Sequence, residues 1–303
     1  MSSTAKGANR PPIADDLKEM VVSLALPCAR CGYDLRNLQA DGDCPECGEP
    51  IRLTIIETVD PASKRLSPIQ KPKTIGNAIT GIVASFTISF ILAIVALLIY
   101  SPSSLPIPHF LRAFPATAVV WVTAGFGFLS FLCLIPMLRM SQRNELDGCR
   151  GGILLTGAGL LLWSASLLFL VLFFFGTFLE NESYSMLFNT FIPVITAGLV
   201  FSGFRKLIPR LGLRSRAFRQ AQGSRQRMND LLAALVVVIV GRTLLETAPT
   251  DSNLSILGLI VMIMSISLIV IGLGYLLRNT LWIRQALITP PPALNELLQP
   301  TED

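Results

Sequence analysis

Of the chain's 303 residues, 51% are hydrophobic and only 15% charged, against about 25% charged in a soluble domain. That balance, with the apolar residues gathered in long runs, excludes an ordinary soluble protein and places the chain in a membrane. The net charge of +5 suits either nucleic acid or loops held at a cytoplasmic membrane face, and the single histidine, His109, excludes two-histidine metalloprotease sites.

Residues 1–16 are polar, carry Pro11, Pro12, Asp15 and Asp16, and read as disordered, with no basic-then-apolar signal peptide. Leu17, Met20, Val21 and Leu24 recur at helical spacing and predict a short amphipathic helix within 1–26. Residues 27–53 form a compact module containing Cys28-Ala-Arg-Cys31-Gly32 and Cys44-Pro-Glu-Cys47-Gly48. Two such pairs make two tight knuckles, each presenting two sulfurs, and together a tetrahedral four-sulfur cage. Gly32 and Gly48 suit the unusual backbone angles that a knuckle demands. The ligands are therefore Cys28, Cys31, Cys44 and Cys47, holding one structural zinc. Too few apolar residues flank the module for a core to hold it otherwise, so zinc is expected to drive its folding, contributing roughly 10–16 kcal/mol. A rubredoxin-like iron centre is the alternative, because CPxCG knuckles hold iron too. Two disulfides would require an oxidising compartment.

The string CARCGYDLRNL followed by CPECG resembles the zinc-ribbon head of uncharacterised multi-pass membrane proteins of planctomycete-type bacteria, in which CxxCGYDLRGL and CPECG recur. The resemblance covers about residues 27–50, with Asn37 standing where Gly is commoner. It implies a bacterial inner-membrane protein and the same four metal ligands, and it supplies no activity.

Residues 54–75 read as a linker rich in Pro and Lys. Six apolar runs follow over 76–278: 76–100, 116–138 ended by Arg139, 152–179, 186–204 ended by Arg205, about 229–247, and 254–277 ended by Arg278. Each is near the ~20 residues that span a hydrocarbon core. The predicted fold is an all-α integral membrane bundle of about six transmembrane helices behind a small four-cysteine zinc ribbon. Residues 279–303 form a cytoplasmic tail with Trp282, Pro290 to Pro292, Leu294, Leu297 and Leu298.

Cations fall on alternate loops: ten Lys or Arg before residue 75, three in Arg139–Arg150 and eight in Arg205–Arg227. The opposite loops hold only Arg112. This asymmetry predicts both termini in the cytoplasm. Within the fifth span, Arg242 and Glu246 stand one turn apart as an intramembrane polar pair, either structural or a substrate or gating site. Arg205, Lys206, Arg210, Arg214, Arg216 and Arg219 are candidate contacts for anionic lipid headgroups. Nucleic acid is disfavoured there, since Phe218 is the only aromatic available for stacking. Gly157, Gly159, Gly258, Gly272 and Gly274 predict close helix approach.

No catalytic motif occurs. The leading reading is a non-enzymatic membrane protein whose cytoplasmic ribbon is an interaction or assembly module, with Tyr33, Leu35 and Arg36 as the surface offered to a protein partner. The alternative is a transporter or channel with a regulatory ribbon, for which Arg242 and Glu246 are the handles.

Overall fold

The computed structural model describes residues 17, 19–60, 66, 69–99, 115–142, 148–170, 190–221, 227–249, 252–292 and 294–300. The expected disorder of 1–16, the loops 101–114 and 180–185, and residues 171–179 and 186–189 of the third and fourth runs lie outside those residues. The chain divides into two compact units, one of residues 1–66 with 289–303 and one of residues 67–288.

The larger unit is a helical bundle. Its long helices are α2 (Pro72–Ile99), α3 (Ala116–Gln142), α4 (Arg150–Phe169), α5 (Ile192–Gly212), α7 (Met228–Thr247) and α8 (Asn253–Ile288), with the short α6 (Arg216–Gln220) between α5 and α7. Among the described residues these six long helices are each long and apolar enough to cross a bilayer. Consecutive helices pack side by side, and α8 returns to α2, closing the set into a ring. The middle is filled with aromatic rings: Phe86 meets Trp163 at 5.5 Å, Phe201 at 5.9 Å and Phe204 at 6.3 Å between centroids. Phe90 stacks on Trp163 at 5.8 Å. Edge-to-face and offset pairs of this kind add about 0.5–1.5 kcal/mol each beyond burial.

Several buried polar groups in this apolar setting are bonded across helices. Trp163 Nε1 donates to Ser89 Oγ at 2.9 Å, and Ser89 Oγ donates to the Thr123 carbonyl at 2.8 Å, joining α4, α2 and α3. Ser130 Oγ donates to the Ile82 carbonyl at 2.7 Å. Small residues set the closest crossings. A Cβ on Gly258 would stand 2.8 Å from the Leu245 nitrogen and 2.9 Å from the Gly241 oxygen, so α7 and α8 touch backbone to backbone. Gly159 does the same for α4 against α5, where a Cβ would lie 2.8 Å from the Val200 nitrogen. Gly274 departs from the expectation: nothing lies within 4 Å of the place its Cβ would take.

Two helices run past the charges expected to end them. α5 continues beyond Arg205 to Gly212, because Leu207, Ile208 and Leu211 carry on a buried stripe while Arg205, Lys206 and Arg210 face outward. Arg278 likewise does not stop α8: Asn279, Thr280, Ile283 and Leu287 stay buried on one face. The Arg278 guanidinium lies 4.8 Å from the Tyr275 ring and 4.9 Å from the Trp282 ring, an arrangement suited to a membrane–water boundary.

The smaller unit corrects three expectations. Met20–Val22 is a strand, β1, instead of an amphipathic helix. Residues 51–59, expected as the end of the module and the start of a linker, form helix α1 (Ile51–Val59), closed by Asp60 in the left-handed region at φ 46°. The tail expected over 279–303 begins later, since residues 279–288 belong to α8. After α8 it forms a single turn, α9 (Leu294–Leu297), and a strand, β2 (Leu298–Pro300), which pairs antiparallel with β1 in the register Met20–Pro300, Val21–Gln299 and Val22–Leu298. Pro300 lacks an N–H and closes the ladder.

A candidate four-sulfur metal centre

The two cysteine pairs fold alike. In the first knuckle the Gly32 N–H donates to the Cys28 carbonyl at 2.9 Å and the Cys28 N–H to the Tyr33 carbonyl at 2.8 Å. In the second, the Gly48 N–H donates to the Cys44 carbonyl at 2.9 Å and the Cys44 N–H to the Glu49 carbonyl at 2.9 Å. Each turn reverses at a glycine in the left-handed region, φ 79° at Gly32 and 68° at Gly48. Both pairs therefore aim their sulfurs at one point.

All four sulfurs lie within 4.8 Å of one another, with Cys28–Cys47 and Cys31–Cys44 at 3.6 Å. Four sulfurs around an ion at about 2.3 Å stand about 3.8 Å apart, so the cage fits a tetrahedral divalent cation with little adjustment. Backbone N–H groups of Cys31 and Arg30 point at the Cys28 sulfur and hold that thiol down at about 6. At Cys47 the Glu49 N–H favours the thiolate, but burial and the three neighbouring sulfurs outweigh it and push the thiol up to about 12. One thiolate thus opposes the next, and a cation at the centre removes the opposition.

What stands around the cage explains the string between the pairs. Asp34 Oδ1 accepts from the Leu26 and Arg36 N–H groups, both at 3.2 Å, and fixes the turn. Leu35 is 0% exposed and belongs to the core, so it is removed from the surface proposed with Tyr33 and Arg36, which remain exposed. Asn37 sits at φ 62°, a conformation that favours Gly and that Asn tolerates better than most residues. From α1, Thr54 Oγ1 accepts the Ala29 N–H at 3.2 Å and braces the first knuckle.

The module also has a real core, against expectation. Val22, Leu26, Leu35, Ile51, Ile55, Val59, Leu297 and Leu298 pack with Cys28 and Cys44. The spacing of Ile51, Ile55 and Val59 on one helical face was the available signal for α1. For Leu297 and Leu298 the sequence holds none, since the strand that Leu298 pairs with, β1, lies at the opposite end of the chain.

The other candidate residues lie in the bundle unit. Arg205, Lys206 and Arg210 stand on the last turns of α5, Arg214 follows it, and Arg216 and Arg219 lie on α6. These cations are partly engaged within the protein. Arg219 donates to the Leu213 carbonyl, and the Arg210 guanidinium lies where a Cβ on Gly148 would be. Burial pushes the neighbouring Cys149 thiol up, against the opposing pull of the Arg210 and Arg214 charges. Arg242 is half-buried on α7, whereas the Glu246 side chain lies outside the described residues.

No family model, curated protein or solved structure matches this chain.

Proposed function

We propose that this is a non-enzymatic, multi-pass membrane protein whose ribbon holds one structural zinc and serves as an assembly module. The carrying observation is the closed convergence of four cysteine sulfurs on one point. A shell of four thiolates leaves no position for water or substrate, which suits a structural ion and not a catalytic one. The ring-filled middle of the bundle, with Phe86, Phe201 and Phe204 fully buried, favours a scaffold over a conduit. The zinc experiment is direct. Purified protein should contain about one zinc per chain, and its zinc-edge X-ray absorption should show four sulfurs at about 2.3 Å and no oxygen or nitrogen ligand. Iron in its place, or an oxygen in the shell, overturns the reading.

We further propose a bacterial cytoplasmic membrane, with the ribbon and the segment after α8 both on the cytoplasmic side. The cation asymmetry of alternate loops supports that orientation. Pairing of β1 with β2 supports the common side, since strands on opposite faces of a bilayer could not meet. Reporter fusions at Phe110, Glu145, Glu182, Ser215 and Asp251 should alternate outside, inside, outside, inside, outside. A reporter after Pro300 on the outside would refute the topology.

A further inference from the structure

We infer that the segment after the last long helix, Leu294–Pro300, is a ligand of the metal-organised ribbon, and that its docking and metal binding are linked, each tightening the other. The inference rests on the zinc reading above and names the partner that the ribbon engages.

Four observations carry it. Leu297 and Leu298, 2% and 4% exposed, occupy the same core as the ligands Cys28 and Cys44, 4% and 2% exposed. The ion's cage and the seat of the segment are therefore walls of one small interior. Second, β1 is bonded along both edges. On one side, the Val22 N–H donates to the Leu38 carbonyl at 3.0 Å, the Asn37 N–H to the Val22 carbonyl at 2.8 Å and the Ala40 N–H to the Met20 carbonyl at 2.9 Å. On the other side lies β2. Third, residues 37–40 belong to the stretch between Cys31 and Cys44, whose two ends are the knuckles. A metal that fixes both knuckles fixes this stretch, which aligns β1, which receives β2. Fourth, Ser23 locks the entry: its N–H donates to the Leu297 carbonyl at 2.9 Å, and its single hydroxyl proton is shared between the Glu296 and Leu297 carbonyls, both 3.1 Å from Oγ.

Units this small seldom hold a core unaided and rely on a metal or added chain. Here a four-sulfur cage and an added strand share one core. Linkage is reciprocal: whatever factor the metal adds to docking, docking adds to metal affinity.

The test uses the full chain in detergent. Hydrogen exchange of residues 294–300 and 20–23, followed by mass spectrometry, is compared before and after a chelator removes the metal, and again after zinc is restored. Exchange should quicken at least about tenfold on stripping, equivalent to about 1.4 kcal/mol, and slow again with zinc. In a second arm, the double variant Leu297→Asp, Leu298→Asp should release zinc to a colorimetric chelator at least about tenfold faster than the wild type. Should that variant misfold, the wild-type comparison still decides. Zinc bound through four sulfurs, with exchange at 294–300 unmoved by its removal, overturns the linkage and leaves the zinc reading standing. A wild-type chain that takes up no zinc at all overturns both.

Discussion

Cys44→Ser should strip the protein of its metal and unfold the ribbon while leaving the helical bundle intact. Cys44 is almost wholly buried, and its own N–H and carbonyl are both committed to the second knuckle. Serine is a poor zinc ligand, so the variant loses a quarter of the coordination shell and leaves a hydroxyl inside an apolar core. With structural zinc contributing about 10–16 kcal/mol, no other interaction in the unit can compensate. The salt bridge across the knuckles, Arg30 to Glu49 at 3.4 Å, is exposed; surface pairs of that kind contribute about 0–1 kcal/mol. Zinc per chain should fall from about one to near zero, and limited trypsinolysis should open Arg30, Arg36 and Arg52. Helical circular dichroism should hardly change, because most helical residues lie in the other unit. A serine variant that keeps a full zinc would contradict the ligand set.

The second large effect belongs to the crossing of α4 and α5. Gly203→Leu places a side chain where a Cβ alone would stand 2.6 Å from the Thr156 nitrogen and 2.9 Å from the Gly152 oxygen. Backbone atoms cannot swing aside, so the two helices must part. Phe204, the next residue, would then lose its seat against Phe86. Overpacking alone costs about 1–3 kcal/mol, and helix separation with ring displacement should carry the loss beyond about 3 kcal/mol. Thermal unfolding in detergent should show a large fall in midpoint or failure to accumulate. Gly274→Leu is the matched control, since open space surrounds that position and its expected change is within about 0.5 kcal/mol. Equal stability of the two variants would contradict the packing described.

The parts legible in sequence were those encoded locally. Six apolar runs announced six helices, since bilayer thickness sets a length that a run either has or lacks. The four converging sulfurs are legible because a knuckle needs two cysteines at fixed spacing and a following glycine. Helix ends are less so: Arg205 and Arg278 read as stops, yet a charge marks where a helix meets water and not where its hydrogen bonds cease. Leu35 reads as part of one surface with Tyr33 and Arg36, yet Asp34 turns the chain and sends Leu35 inward. β1 and β2 have three residues each, too few for a period to register, and their partnership joins opposite ends of the sequence. Nothing local could have announced it.

That partnership has a consequence for the order in which the molecule is made. A ribosome delivers β1 and both knuckles before any of the six long helices, and β2 only after all of them. Throughout membrane insertion, one edge of β1 and the seats of Leu297 and Leu298 stand uncovered. They are filled only once the sixth long helix has been threaded, and only if β2 emerges on the face where β1 waits. A helix skipped or inserted twice would deliver the final strand to the wrong face. Closure of the ribbon thus occurs late in biogenesis and is sensitive to the parity of the crossings.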